Sequence, residues 1–262
     1  MKYTQKMWAA SFLCALALFV IPAAQAQVPD SGTDCNGTYS GTFVGNLTVS
    51  AGQTCIFTSG GVTGDVQETG GDVEFSNSTV TGNVQQGGGT LLLASTTVTE
   101  NVQITGAPTF SLESATINGN LEIQRSTSAP PSQRPPCAVH HGGHGSQVCN
   151  TTVHGDLQSQ SNANPVDIVG SSIGGSLQVQ SNSAAADMES NGVTGDIEVS
   201  DNSADTFVSG NTANGNLQDQ GNTGPDAADV ESNTITKNLQ CQNNTPGTTN
   251  SNNTVGGITQ CN

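Results

Sequence analysis

A short phrase recurs along most of the chain: an apolar residue, a gap, and then Gly followed by Asn or Asp and by Leu, Val or Ile. Clear copies begin at Gly45, Gly64, Gly82, Gly119, Gly155, Gly195 and Gly215, and degenerate copies at Glu100, Gly175, Lys237 and Gly256. Neighbouring copies are 18 to 22 residues apart, except for one gap of 36 after Gly119. Such a period is typical of a solenoid, in which each copy forms one turn and stacks on its neighbours.

Two apolar positions recur in each turn and indicate that the turns are built from strands. Read as one alternating strand, the segment from Val62 to Val66 would place Val62, Gly64 and Val66 on the inner side. The second apolar position forms a column of Phe75, Leu93, Leu112, Ile168, Met188, Val208 and Val230. Strands stacked once per turn pair in parallel about 4.8 Å apart, and each turn leaves room for a third short strand.

The sequence therefore predicts an all-β fold, a single right-handed parallel β-helix (solenoid) of about ten coils, with 18–20 residues per coil. The right hand is favoured by the chirality of parallel crossovers. The chain also lacks the sixfold apolar rhythm of left-handed helices. We expect residues 27–262 to form this one domain.

Asparagines repeat with the same period and give an independent indication of stacking. One series contains Asn162, Asn182, Asn202 and Asn222, and another contains Asn191, Asn211 and Asn233. We expect them at turns with left-handed backbone angles, bonding side chain to side chain along the rod. Earlier turns have Gly70-Gly71 and Gly87-Gly88-Gly89 instead.

Two pairs of cysteines are separated by one repeat. Cys35 and Cys55 are 20 residues apart, and so are Cys241 and Cys261. Stacked turns bring such positions to the Cα separation that a disulfide requires. We therefore predict two disulfides that join neighbouring turns at the two ends of the rod.

The first 26 residues read as a secretory signal peptide. Lys2 and Lys6 precede an apolar stretch, and Ala24-Gln25-Ala26 is a small-x-small cleavage site. Removing this segment changes the formal charge from -16 to -18, since it contains two basic residues and no acidic ones. The expected mature chain is exported, to the periplasm, cell surface or extracellular space, with no membrane span. Its charge argues against nucleic-acid partners.

The long gap in the repeat holds a loop insertion at about 125–150. It contains a proline-rich stretch and then Cys137 and Cys149. All four histidines, His140, His141, His144 and His154, lie in or next to this loop. A Cys137–Cys149 disulfide that closes the loop is one interpretation. The alternative is a Zn or Cu site formed by these histidines, since imidazole and thiolate are the ligands such metals prefer. No other cofactor is expected.

An enzyme that acts on polysaccharides is an alternative function, either a lyase or a hydrolase. A hydrolase would need two carboxylates at a fixed separation. Asp65, Asp156 and Asp196 fall in one outward column, and Glu122 and Glu198 fall in another. The same columns hold Asn and Gln in most turns, and few aromatic residues are present to stack on sugars. We therefore expect no catalytic residues.

Ice binding is a further alternative. Thr-x-Thr pairs occur at Thr79 and Thr81 and at Thr97 and Thr99. The pairs end after two turns, where Thr116 is followed by Asn118. The β-propensity of threonine explains its presence in outward strand positions without ice.

The stretch from Cys35 to Cys55, the repeats of the form TVTGNVQ, and the closing segment from Asn238 to Cys261 resemble secreted bacterial β-helix repeat proteins of unassigned function. The similarity extends in outline to pectate-lyase-like solenoids and to bactofilin-type rods. It covers the mature chain except for residues 125–154, and it implies an architecture without a catalytic motif. Glu100 and Lys237 depart from the repeat glycine, which implies imperfect stacking there.

These features favour an exported, non-catalytic scaffold or adhesion protein of the cell envelope or surface. We expect it to be a monomer that binds a surface polymer or protein. The binding face would be an outward strand face of Asn, Gln, Thr and acidic side chains, with the histidine-bearing loop as a second candidate.

Overall fold

The computed structural model describes residues 27–127, 146–226 and 228–261. In these ranges the chain forms strands and turns and no helix, and the strands assemble into three parallel sheets of 11 strands each. Every turn contributes one strand to each sheet, so a third strand is present. The predicted all-β parallel β-helix of about ten coils is confirmed, and its right hand stays a prediction.

The strands are numbered β1 to β33 in chain order, and every third strand belongs to the same sheet. Sheet A contains β1 (Gly37–Tyr39), β4 (Thr54–Phe57), β7 (Asp72–Ser76), β10 (Thr90–Ala94), β13 (Thr109–Glu113), β16 (Ser146–Cys149), β19 (Val166–Val169), β22 (Ala186–Glu189), β25 (Thr206–Ser209), β28 (Ala228–Glu231) and β31 (Thr248–Ser251). Sheet B contains β2 (Thr42–Phe43), β5 (Gly60–Val62), β8 (Ser78–Val80), β11 (Thr97–Val98), β14 (Thr116–Ile117), β17 (Thr152–Val153), β20 (Ser172–Ile173), β23 (Gly192–Val193), β26 (Thr212–Ala213), β29 (Thr234–Ile235) and β32 (Thr254–Val255). Sheet C contains β3 (Leu47–Ser50), β6 (Val66–Thr69), β9 (Val84–Gln86), β12 (Val102–Thr105), β15 (Leu121–Gln124), β18 (Leu157–Gln160), β21 (Leu177–Gln180), β24 (Ile197–Ser200), β27 (Leu217–Gln220), β30 (Leu239–Gln242) and β33 (Thr259–Cys261).

Consecutive turns pair in register, so each position of the repeat forms a column along the rod. Val66 pairs with Val84 on the inner side of sheet C, and both are fully buried. Phe75 pairs with Leu93 on the inner side of sheet A and stacks on Phe57, with ring centroids 5.1 Å apart. The predicted second column is buried throughout, at Phe75, Leu93, Leu112, Ile168, Met188, Val208 and Val230. One hydrophobic core therefore continues along the rod.

The repeat phrase is a corner and not a continuous strand. Residues 63–65 connect sheet B to sheet C, so Val62 ends β5 and Val66 begins β6. Both valines are buried as predicted. Gly64 does not point into the core, because a Cβ there would lie 2.3 Å from Oδ1 of Asn46 in the preceding turn. The prediction for Gly64 is wrong because the corner breaks the two-residue period of a strand.

Two disulfides join neighbouring turns at the two ends. The Cα atoms of Cys35 and Cys55 are 5.2 Å apart, and those of Cys241 and Cys261 are 4.3 Å apart. Both predicted pairings are confirmed. Disulfides form in oxidising compartments, so these two indicate an exported environment.

The insertion interrupts a corner without breaking the stacking. The chain leaves sheet C after β15, and β16 pairs with β13 and β19 as a regular member of sheet A. Residues 128–145 lie outside the described residues, as does the predicted signal peptide, residues 1–26. Within the described ranges, no helix has the length and apolar character that crossing a bilayer requires.

Candidate functional site

The Gly-Asn/Asp phrase builds a hydrogen-bonded ladder at the corner between sheets B and C. Oδ1 of Asn120 accepts a hydrogen bond of 2.9 Å from the backbone N–H of Asp156 in the next turn. A Cβ on Gly155 would lie 2.0 Å from the same oxygen, so only glycine leaves room for it. Equivalent acceptors are Asn46, Asp65, Asn83, Asn101, Asn120, Asp156, Ser176, Asp196, Asn216 and Asn238. The Gly-Asn/Asp phrase therefore stabilises the stacking of neighbouring turns along the rod axis.

The corner ladder gives the outward aspartates a structural role. Asp65 accepts the backbone N–H of Asn83 at 2.8 Å, and Asp196 accepts that of Asn216 at 2.6 Å. A carboxylate provides here the acceptor oxygen that asparagine provides in other turns. Asp156 does the same at 2.8 Å. The column that suggested a pair of catalytic carboxylates is thus explained by stacking.

The two residues that replace the repeat glycine do not interrupt the stacking. The N–H of Gly119 donates to the carbonyl oxygen of Glu100 at 3.0 Å, and the N–H of Gly257 donates to that of Lys237 at 2.7 Å. The Glu100 carboxylate also accepts a hydrogen bond of 2.6 Å from Asn83 Nδ2. The expected irregularity at Glu100 and Lys237 is therefore wrong.

Two further ladders fill the other corners with buried asparagine side chains. Asn202 Oδ1 accepts both the backbone N–H and Nδ2 of Asn182, at 2.9 and 3.0 Å. Asn202 Nδ2 donates to Asn222 Oδ1 at 2.9 Å. The ladder at the corner between sheets A and B contains Asn191, Asn211, Asn233 and Asn253. Bonding along the rod is confirmed, but the left-handed backbone lies one residue earlier, as at Ser181 with φ 56°.

In an early turn, a buried glutamate accepts the backbone hydrogen bonds at the corner between sheets C and A. Later turns have asparagine at this corner. Glu68 is 2% exposed, on the inner side of sheet C. Its carboxylate accepts the backbone N–H groups of Gly70, of Gly87 at 3.2 Å and of Gly89 at 3.1 Å. Burial raises the pKa of Glu68 above its ordinary value, although these hydrogen bonds lower it. Sequence reasoning missed Glu68; the available signal was an acid at an inward position of β6.

A second buried acid, Asp219, lies in the same inner column of sheet C near the last turns. It accepts hydrogen bonds from Asn222 Nδ2 at 2.6 Å, from Asn244 Nδ2 at 2.7 Å and from Thr248 Oγ1 at 2.8 Å. Burial raises the pKa of Asp219 to about 6, against the lowering effect of these three donors. Asp219 is fully buried and Glu68 nearly so, so neither acid presents its carboxylate to a surface ligand.

The outward side chains of sheets A, B and C form three faces of different chemistry, named face A, face B and face C. Face A carries acids, but Asp167, Asp187 and Glu189 are at most 4% exposed, so its centre is not an open surface. Face B is narrow and carries mostly Thr, Gly and Asn. Face C is the amide-rich outward strand face that the sequence predicts.

Face C presents two columns of amide side chains along the rod. The first column is Thr48, Gln67, Gln85, Gln103, Glu122, Gln158, Gln178, Glu198, Gln218, Gln240 and Gln260. The second, two residues further along each strand, includes Gln124, Gln160, Gln180, Gln220 and Gln242. Neighbours bond to each other, as Gln103 Nε2 does to Glu122 Oε2 at 2.9 Å and Gln158 Nε2 to Gln178 Oε1 at 3.2 Å.

The two glutamates of face C do not form a catalytic pair. Glu122 and Glu198 are three turns apart in the column, with Gln158 and Gln178 between them. At about 4.8 Å per turn their Cα atoms are separated by about 14 Å. The Glu122 carboxylate accepts a hydrogen bond from Gln103, in the turn on the side away from Glu198, so the two carboxylates do not approach each other to the distance of at most about 9.5 Å that a glycosidase pair requires.

A shallow groove of about 290 Å³ lies where face C meets the corner ladder. Its lining consists of Asn83, Val84, Gln85, Asn101, Val102, Gln103, Asn120 and Glu122. The amides offer both hydrogen-bond donors and acceptors, while Glu122 brings the one formal charge of this lining. Such a lining suits a ligand that is uncharged and carries many hydroxyl groups.

The predicted metal ligands are not brought together within the described residues. His140, His141, His144 and Cys137 lie outside those residues, so the loop disulfide and the Zn or Cu site stay predictions. His154 lies at the corner between sheets B and C, with Nδ1 3.0 Å from Asn118 Oδ1, whereas the insertion leaves from the corner between sheets C and A. Across the described ranges, no three His, Cys, Asp or Glu side chains are grouped to hold a metal ion.

Comparison with known proteins finds no matching family model, no similar curated protein and no similar solved structure. The parallel β-helix itself is what supports the resemblance to β-helix repeat proteins.

Proposed function

We propose that the protein is an exported, non-catalytic binding rod of the cell envelope or surface, which holds a hydroxyl-rich polymer along face C. The observation that carries this proposal is the pair of amide columns in register from turn to turn. A glutamine side chain both donates and accepts hydrogen bonds, as a sugar hydroxyl does. A neutral polysaccharide therefore fits face C.

Charge and composition narrow the class of polymer. The formal net charge, -16 for the whole sequence and -18 without the predicted signal peptide, repels anionic polymers. Aromatic residues make up 4% of the chain, so stacking on sugar rings contributes little. Each amide contact is then weak, and binding strength comes from many contacts at once along a stiff rod. We expect affinity to rise steeply with polymer length until the polymer spans the face, about 50 Å for ten steps of about 4.8 Å.

The test is co-sedimentation and calorimetry with neutral polysaccharides of graded length. The variant Q85A/Q103A removes two amides of the groove, and we expect about tenfold weaker binding, as for central contacts of an interface. The matched control, T79A/T97A, alters face B in the same two turns and leaves binding unchanged. Equal loss in both variants, or no binding by the wild-type chain, contradicts the proposal. New reducing ends or unsaturated products during incubation would instead favour the lyase or hydrolase alternative.

A further inference from the structure

Face B carries a longer hydroxyl column than the sequence indicates. Its first column is Thr42, Gly61, Thr79, Thr97, Thr116, Thr152, Ser172, Gly192, Thr212, Thr234 and Thr254, each paired with the next in register. Hydroxyl residues are unbroken over five turns from Thr79 to Ser172 and over three turns from Thr212 to Thr254. The Thr-x-Thr pairs themselves end after two turns, as the sequence indicates, because Asn118 and His154 follow Thr99 in the second column.

The hydroxyl groups of this first column face solvent without protein partners. Among the described residues, no side-chain hydrogen bond is made by Thr79, Thr97, Thr116, Thr152, Ser172, Thr212, Thr234 or Thr254. The corner asparagines and many face C glutamines, in contrast, bond to one another. Each threonine of the first column therefore presents one free hydroxyl and one methyl group to water.

Face B is also free of formal charge in a strongly acidic protein. The positions of its second column are Val44, Thr63, Thr81, Thr99, Asn118, His154, Gly174, Thr194, Asn214, Thr236 and Gly256. Neither column, over the described turns, contains Asp, Glu, Lys or Arg, although the chain has 21 acidic residues. An ionic partner finds no Asp, Glu, Lys or Arg side chain in these columns, and neither column contains Phe, Tyr or Trp on which a sugar ring could stack.

The spacing of the hydroxyl groups is fixed by the fold. Backbone pairing sets about 4.8 Å between neighbouring turns along each column. Pairing continues through the second column, since Thr99 N–H donates to Val80 O and Thr194 N–H to Ile173 O, both at 2.9 Å. The corner ladders and the end disulfides hold this lattice stiff. Hexagonal ice repeats along its a axis at an interval close to that between stacked turns.

We propose that face B binds ice. Water ordered over the threonine methyl groups and bonded to their hydroxyl groups would match the crystal, while the neutral face avoids the strongly hydrated charges that would disorder it. The inference is independent of polymer binding by face C, because the two faces share no side chain.

The test is ice-affinity partition of the oxidised, exported protein, together with inhibition of ice recrystallisation. T97Y/T116Y places two bulky side chains in the middle of the first column, and we expect about tenfold less protein in the ice fraction. Q103Y/Q178Y makes the same change on face C and should partition like the wild type. Far-UV circular dichroism and the melting temperature confirm that both variants fold.

Exclusion of the wild-type protein from ice overturns the proposal, and so does equal loss in both double variants. Sedimentation tests whether face B instead binds a second copy of the chain. If the wild type sediments as a dimer and T97Y/T116Y as a monomer, the proposal also fails. Binding to crystalline cellulose or chitin but not to ice has the same consequence.

Discussion

Replacing Asn202 with alanine should destabilise the rod far more than replacing an exposed asparagine of the following turn. Asn202 is fully buried, accepts two hydrogen bonds from Asn182 and donates two, to Val179 O at 3.0 Å and to Asn222 Oδ1 at 2.9 Å. In N202A the backbone N–H of Asn182 loses its acceptor inside the rod. An orphaned buried donor costs about 1–3 kcal/mol, and each of the other lost bonds about 1 kcal/mol or less. We expect a loss of about 3 kcal/mol in the free energy of unfolding.

The measurement is urea denaturation followed by far-UV circular dichroism at fixed pH under oxidising conditions. With an m value of about 2 kcal/mol/M, the unfolding midpoint of N202A should fall by about 1.5 M. The matched control is N214A, because Asn214 is exposed and no side-chain hydrogen bond links it to the described part of the chain. Surface substitutions of this kind change stability by about 0.5 kcal/mol or less. If N202A and N214A unfold at the same urea concentration, the asparagine ladder does not stabilise the rod.

Three further substitutions, one of them a control, test the corner and the buried acid. G155A should lower the free energy of unfolding by about 2 kcal/mol, as overpacking does, because its Cβ would lie 2.0 Å from Asn120 Oδ1. G192A has open space around its Cβ and should be neutral or slightly stabilising, so equal thermal melts for the two variants would contradict the stacking role of the repeat glycine. Because burial raises the pKa of Asp219 from 3.8 to about 6, its contribution to stability is full below pH 3.8 and is lost as the pH rises through about 6. The loss of stability amounts to about 3 kcal/mol, at about 1.4 kcal/mol per pKa unit. The variant D219V introduces the residue found at Val179 and Val199 in the same column, and it should remove that part of the pH dependence. Identical stability–pH profiles for D219V and the wild type would contradict this.

Periodicity was sufficient to predict the stacked architecture. In a parallel rod, a residue's axial neighbours lie one repeat away, so the separation of 20 between Cys35 and Cys55 already places them on adjacent turns. The same reasoning predicts the buried column that includes Phe75 and Leu93, and the asparagine ladders. These features depend only on the length of the repeat and on in-register pairing, both of which the sequence shows directly.

The corners could not be placed from the pattern alone. Residues 63–65 look like part of an alternating strand, yet they turn the chain from sheet B to sheet C. Asp65 and Asp196 look like outward acids of an active site until each is seen to accept a backbone N–H of the next turn. The burial of Glu68 and Asp219 could not be predicted from residue type either, because acidic side chains are normally exposed.

The amino-acid sequence by itself determined the repeat length, the stacking of equivalent positions and the two disulfides at the ends. The sequence also predicts an outward strand face rich in amides, which is face C. The folded structure was needed to show that face B carries no formal charge over the described turns and that Asp167, Asp187 and Glu189 of face A are buried. The physical reason is that each corner changes the direction of the chain and restarts the inward and outward alternation. The chemistry of a face is therefore set by where the corners fall, which depends on hydrogen bonds to the neighbouring turns and not on the local pattern.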